Sequence, residues 1–268
     1  YKSLGATFRT MDPFPTRVDL AEDPDATGEG HLWILELVEG IPLRFALQSD
    51  GRIVFGDGKR RYEPGSEPPA VWPAVESIQS SFRRDAFREA IAEAGSVTFY
   101  GVATCQRRLA YDWDRLPPFL GYDVRVPDRG GLLAPEDAHA SFNRLGLTPS
   151  PAVERELRAD AFDPAGYTFP GSEWADSPVA GVVVADKHGW RGRLDNSETS
   201  GPPQASFDTP VDAAERLVPA VAPTTEDTVD VVRNRIARRH HAELSAAGID
   251  PSEKAFRSAV AEAVQRRQ

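Results

Sequence analysis

The sequence predicts an α+β fold: an antiparallel-sheet domain over residues 1–205 and a helical appendage over 206–268. Between His31 and Leu194, short runs of alternating apolar residues recur, separated by Gly, Pro, Asp and Ser, which is the period of half-buried strands. Asp50-Gly51 sits between two such runs and signals a tight hairpin. From Val211 onward the apolar spacing becomes helical.

Strands are expected at 31–38, 42–48 and 52–55, with Leu43, Phe45 and Leu47 answered by Ile53 and Phe55 across the Ser49-Asp50-Gly51 turn. The proline-rich piece 63–73 reads as a loop. Residues 82–94 read as a helix with Phe87, Ile91 and Ala94 on one face and Gly95 as its stop. Strands follow at 96–104 and 119–126. Pro135 suits a first helical turn and opens a short helix ending near Leu145-Gly146. The stretch 148–178 reads as connection, with a short helix over 153–159. Strands at 181–186 and 190–194 turn at His188-Gly189. Thr225 is expected to start a helix with Glu226 and Asp227 in its first turn, where the helix dipole favours acids, and Gly248 to end it. Val229, Val232, Ile236 and Leu244 form its apolar stripe. Asp250-Pro251-Ser252-Glu253 reads as a capping box that opens a last helix to about Arg267.

A chain of 268 residues that is 40% hydrophobic can bury a full core. No apolar run approaches the ~18 residues of a membrane span, so no membrane partner is expected. Cys105 is the only cysteine, which excludes an internal disulfide, argues against a cysteine-built metal site and favours the cytoplasm. The chain opens at Tyr1 rather than Met, so its natural N-terminus is expected to lie further back. The net charge is −10, and of 31 basic residues only Lys2, Lys59, Lys187 and Lys254 are lysines. That acidic, lysine-poor, arginine-rich composition suggests a salt-adapted or GC-rich source. It does not exclude nucleic acid, because a basic stripe can lie on an acidic body.

The segment Glu36-Leu37-Val38-Glu39-Gly40, running into a strand, an Asp-Gly turn and a second strand, resembles the active-site segment of ATP-dependent RNA ligases and the wider covalent nucleotidyltransferases, roughly E-K-x-(D/H/E)-G. Tyr111-Asp112-Trp113-Asp114-Arg115 and Pro117 to Val124 resemble the family's central strand and its approach. Val179-Ala180-Gly181-Val182-Val183-Val184 resembles its E-G-V-V strand, and Arg193-Leu194-Asp195 its final K-x-K. The resemblance implies the ligase nucleotidyltransferase fold (ATP-grasp-like) with a helical appendage.

In that family a lysine attacks the α-phosphate of ATP, carboxylates hold divalent metal and further lysines neutralise the phosphates. Here the nucleophile position is Leu37. Val102 and Ala180 stand where glutamates are expected, Asp195 replaces the second lysine of K-x-K, and Asp57-Gly58 occupy the place of an arginine, with Lys59 and Arg60 just beyond. The resemblance therefore implies a pseudoenzyme that keeps the fold without lysyl-AMP chemistry and acts as a nucleic-acid-end binder or as partner of an active ligase or other repair protein. No cofactor and no metal are expected. ATP and Mg²⁺ enter only if an unrecognised lysine, Lys59 or Lys187, makes the chain an active ligase. A plain interaction module is the third alternative.

Glu36, Glu39, Gly40, Phe119 and Arg193 are the nucleotide-pocket candidates. Phe119 matches the aromatic on which the family stacks adenine, and fits a core strand aromatic equally well. Gly40 fits either a pocket or a backbone requirement. Arg235, Arg238 and Arg239, at i, i+3 and i+4, share a helix face and are candidate RNA contacts, as are Arg107 and Arg108. His240-His241 points two ways, since adjacent helical residues diverge by about 100°, and is not expected to hold metal.

Overall fold

The computed structural model describes residues 11–91, 94–127, 130–199, 207–221, 224 and 226–267. In chain order its elements are β1 (Val18–Asp19), β2 (His31–Glu36), β3 (Gly40–Leu47), β4 (Ile53–Gly56), α1 (Trp72–Ser81), α2 (Arg84–Ala90), β5 (Thr98–Thr104), β6 (Phe119–Val126), β7 (Gly131–Leu132), α3 (Pro135–Arg144), β8 (Ala152–Arg158), β9 (Gly181–Asp186), β10 (Arg191–Asp195), α4 (Pro210–Ala220), α5 (Val229–Arg239), α6 (His241–Ala246) and α7 (Lys254–Gln265). Among the described residues two five-stranded sheets form, ordered β1-β10-β9-β2-β8 and β4-β3-β5-β6-β7. All pairs are antiparallel except β1 with β10. The α+β class read from the sequence is the one observed.

β2 and β3 belong to different sheets, so Leu37, Val38 and Glu39 cross from one sheet to the other. The hairpin lies one step later, between β3 and β4, where Phe45 faces Phe55 in register. Strand alternation then divides the core into layers. Leu32, Ile34, Val182 and Val184 face outward beneath Phe162, while Trp33, Leu35 and Val183 face inward toward Val102, Leu120 and Tyr122 of the second sheet. The far face of the second sheet is covered by α1, α2 and α3. There Phe45 stacks on Phe99 at 4.7 Å and meets Phe82 edge-on at 5.5 Å, a geometry worth about 0.5–1.5 kcal/mol per pair beyond area burial. A side chain at Gly121 would collide with the Phe142 ring, so glycine lets α3 lie close on β6.

Several local expectations are corrected. A helix, α1, follows the proline-rich loop, with Pro73 in its first turn where a missing N–H costs nothing. The helix expected over 82–94 is the shorter α2, ending at Ala90. Where a short helix over 153–159 is expected, Ala152–Arg158 form the strand β8 and a 3₁₀ turn begins only at Ala159. The first long C-terminal helix is two: α5 is capped by the Thr228 hydroxyl, which accepts from the Val231 amide, and α6 restarts at His241. Thr225 lies outside the described residues, as does the expected domain boundary at 205/206. Asp250 bonds the amide and hydroxyl of Ser252 instead of capping α7, whose first residue is Lys254. No described helix is long and apolar enough to cross a membrane.

The C-terminal helices pack around their own apolar cluster, including Leu217, Ile236, Phe256 and Val260. They attach to the sheets through Arg238, which is buried and donates to the Thr104 carbonyl (3.1 Å) and hydroxyl (2.9 Å) and to the Leu116 carbonyl (2.7 Å). Its guanidinium also lies 5.1 Å from the Trp113 ring centre. Burial, and then neighbouring Arg239, hold its pKa down to about 10, which still leaves it charged at neutral pH.

The sheets themselves are joined by a buried ion pair. Arg191 of β10 donates through Nε to Asp123 of β6 at 2.6 Å, and through its other nitrogens to the carbonyls of Asp186, Trp190 and Leu133. Arg17 reaches the second Asp123 oxygen at 3.4 Å. Burial pushes the Asp123 pKa up, but Arg191 and Arg17 outweigh it and hold it below the usual range. Stability from this carboxylate is therefore present above its unfolded pKa and lost as pH falls through the lower folded value. Asp123→Asn leaves Arg191 buried without its counter-ion and is expected to lower unfolding free energy by about 3–5 kcal/mol in urea titration. A loss under about 1 kcal/mol would show the clamp to be dispensable.

Candidate functional site

The crossing from β2 to β3 is held residue by residue. The Glu36 amide donates to the Pro151 carbonyl and the Leu37 amide to the Gly181 carbonyl, both at 2.9 Å. The Val38 amide donates to Tyr122 Oη (2.9 Å) and the Glu39 amide to Tyr111 Oη (3.1 Å). Every amide of the segment is satisfied, as a buried backbone requires. A Cβ on Gly40 would collide with the Ala103 carbonyl oxygen. Glycine here serves the close approach of β3 to β5.

Over this crossing opens a cleft of roughly 1000 Å³, within the range of small-molecule and cofactor sites. Leu37, Val38, Pro42 and Val102 form its apolar floor, and Arg17, Arg107, Arg108 and Arg193 stand around it. His241, Ala242, Ser245 and Ala246 of α6 supply a wall from the helical appendage. Leu37 is only 8% exposed, because its inner side packs with Val102, Tyr122 and Val183 in the seam between the sheets.

The two motif glutamates are both committed to the protein. Glu39 Oε1 accepts from Arg108 Nε at 2.7 Å, and Oε2 from the amides of Arg108 (2.8 Å) and Leu109 (2.9 Å). Glu36 turns away from the cleft: Oε1 accepts from the Ser172 hydroxyl (2.5 Å) and Oε2 from the Glu173 amide (3.1 Å). Burial raises the Glu36 pKa, against those two hydrogen bonds, which favour its charged form. Arg108 also donates to the carbonyls of Ala180 (3.2 Å) and Asn196 (3.4 Å). It thereby ties the crossing to the first sheet. Ala180 is fully buried beneath it.

Other sequence candidates fall elsewhere. Phe119 does not line the cleft; it is a core aromatic, 2% exposed, edge-on to Phe45 at 5.8 Å. The reason is strand parity: Phe119 points toward the helices, and Leu120 and Tyr122 point toward the seam. Tyr122 and Phe14 are the aromatics that line the cleft, with the Arg17 guanidinium 5.2 Å from the Tyr122 ring centre. Arg193 and Asp195 both line the cleft and pair with each other at 2.8 Å. Lys59 is exposed and does not line the cleft. Lys187 is paired with Glu156 (2.9 Å) and Glu136 (3.4 Å). Arg235, Arg238 and Arg239 do not present one exposed ridge. Arg235 pairs with Asp227 (3.1 Å), Arg238 is the buried attachment and Arg239 pairs with Asp114 (2.7 Å). Arg107 is the exception: exposed, held by Nε to the Gly40 carbonyl (3.1 Å), with no carboxylate partner among the described residues.

Sequence reasoning missed Arg17, Tyr122 and His241. Tyr122 could have been found from parity with Leu120, and His241 from its divergence from His240, which faces Glu243 at 3.3 Å. Burial lowers the pKa of both histidines. Arg17 carries no sequence signal.

No protein-family profile matches the chain, and no curated protein matches it. Solved structures that do match include a Naegleria gruberi RNA ligase with PPi, at TM-score 0.49 and 13% identity over 71% of this chain and 60% of that one. An archaeal ATP-dependent RNA ligase matches at TM-score 0.49 and 15% identity over 95% of this chain and 66% of that one. The chain spans only 60% and 66% of those two proteins' lengths.

A divalent metal in that cleft does not fit the donors present. Mg²⁺ is held by carboxylates. Here Glu36 and Glu39 have both oxygens engaged, Asp195 is paired with Arg193, and no group of three His, Cys, Asp or Glu gathers among the described residues.

Because the folded pKa of Glu36 is raised, its contribution to stability is fully present below the ordinary glutamate pKa and lost as pH rises through the folded value. Glu36→Gln removes that titration while keeping an oxygen for the Glu173 amide and a partner for Ser172. The variant is expected to gain thermal stability relative to the native chain as pH is raised from 4 to 8. Thermal melts across that range check it, and an advantage that shrinks with pH would contradict it.

Proposed function

We propose that this protein is an RNA ligase-like binding protein that holds a nucleotide or a phosphorylated nucleic-acid end in its cleft and forms no lysyl-AMP. RNA ends are its expected ligands and an active ligase its expected partner. The observation that carries this reading is Leu37. It stands on the cleft floor beside Val102, in the segment where the resembled enzymes carry their nucleophile, and no lysine lines the cleft among the described residues. A hydrocarbon side chain has no electron pair to attack phosphorus, and arginine keeps its proton at neutral pH and does not replace an amine nucleophile. The arginines and the nucleotide-sized space support retained binding, since guanidinium forks match phosphate oxygens.

Incubating the full chain with α-labelled ATP and Mg²⁺ or Mn²⁺ is expected to give no covalent label after denaturation. Leu37→Lys is also expected to give none, because Val102 and Ala180 leave the restored amine without metal-holding carboxylates. A label on the native chain that survives denaturation would overturn the reading, and its disappearance in Lys59→Ala would assign the reaction to that lysine.

A further inference from the structure

Charge around the cleft is answered unevenly. Arg108 is matched by Glu39 and Arg193 by Asp195. At one end Asp123 is shared by two guanidiniums, Arg191 at 2.6 Å and Arg17 at 3.4 Å, leaving one positive charge in excess. The Arg17 Nε is buried with no hydrogen-bond partner. Arg107 is likewise unmatched by any described carboxylate: its Nε is fixed on the Gly40 carbonyl, directing the group beside the cleft it lines. His241, across from it on α6, is kept neutral by burial and then by Arg107 itself. Between the charges the floor is apolar; of the two carboxylates that line the cleft, Glu39 has both oxygens bonded to Arg108 and two amides, and Asp195 pairs through Oδ1 with Arg193.

From this uneven balance we infer that the cleft binds the phosphate monoester of its ligand on guanidinium groups alone, independently of divalent metal, with Arg107 as the principal contact and Arg17 as the second. The inference rests on the binding role proposed above and names the chemistry of that site. A phosphate monoester carries about −1.5 to −2 charges at neutral pH, close to what the two unmatched arginines supply. Arg107 donates through Nε to the Gly40 carbonyl and also hydrogen-bonds the Cys105 thiol, and the rest of its five N–H donors can still meet a phosphate. The apolar floor suits the less polar body of a nucleoside next to that phosphate. A free nucleotide and the 5′ end of an RNA strand present the same group.

The test measures binding of the full chain to AMP, to a short 5′-phosphorylated single-stranded RNA and to its 5′-hydroxyl counterpart, each in EDTA and in millimolar Mg²⁺. Expected is binding of AMP, of the phosphorylated RNA or of both, with affinities in the two buffers agreeing within about twofold. The 5′-hydroxyl RNA should bind at least about tenfold more weakly, the scale of one charge-assisted contact. Arg107→Ala should weaken the phosphorylated probe by about tenfold or more with an unchanged melting temperature, since Arg107 is exposed. Arg107→Lys should recover part of that loss. Arg17 is not the variant of choice because it also supports Asp123. Binding of AMP alone would identify a nucleotide as the ligand, and binding of the phosphorylated RNA alone a strand end. Binding that requires Mg²⁺, or that ignores either the 5′-phosphate or Arg107→Ala, would overturn the inference while leaving the binding role in place. Failure of every probe in both buffers would overturn both.

Discussion

Two arginines set the distance between the sheets, and the cleft exists because of where they stand. Arg191 reaches from β10 to Asp123 on β6, and Arg108 reaches from Glu39, at the crossing, to the carbonyls of Ala180 and Asn196 on the first sheet. Each guanidinium spends most of its donors on backbone carbonyls or a buried carboxylate, which is what allows a charge to be taken out of water at all. Between these clamps the crossing Leu37-Val38-Glu39 has little freedom, because its amides are bonded to Gly181, Tyr122 and Tyr111. The cleft floor is therefore rigid backbone carrying apolar side chains. Its charged side chains stand around the rim.

Leu37, Val102 and Ala180 make sense as parts of that seam. Leu37 and Val102 pack together with Tyr122, Ala180 and Val183, so each contributes burial where a charged group would need a counter-ion or a metal. Glu39 keeps its carboxylate but satisfies it with Arg108 and two backbone amides. Replacing a side chain at one of these places leaves the others unchanged, and the seam would then hold a charge among hydrocarbon neighbours. The apolar character of these positions is thus built into the packing of both sheets.

How much of this was legible in the sequence depended on whether a segment's pattern was local. The β3–β4 hairpin and the strands β6 and β9 stood out because alternation and turn residues are read within a few positions. β8 was hidden: its Val153-Glu154-Arg155-Glu156-Leu157-Arg158 run has the composition of a helix, and only pairing with β2 at the sheet edge makes it a strand, with its charges facing water. Glu156 there adopts φ of 58°, a conformation a sequence pattern does not announce; its carboxylate accepts from Trp33 Nε1 at 2.9 Å. α1 was hidden by the prolines before it. At the site, the crossing with Leu37 in it was legible, as was the cationic pair 107–108. The face on which Phe119 lies was not, because parity is fixed by the helices covering the sheet. Arg17 was not, because its partner is 106 residues away.

Arg238 shows why a basic helix face is ambiguous until its partners are known. In sequence it stands among the most basic residues of the chain. In the structure it is the most deeply buried of its group, joined to Thr104 and Leu116 and stacked near Trp113. Its neighbour Gln106 donates its backbone amide to the Arg238 carbonyl and its side-chain amide to Glu243 at the start of α6. The next residue along the chain is Arg107. One short stretch, 104–108, therefore carries the helical attachment, the unmatched cation of the cleft and the Glu39 clamp. The position of α6 over the cleft and the orientation of Arg107 within it are consequences of the same docking, so the appendage is part of the site's architecture and not merely adjacent to it.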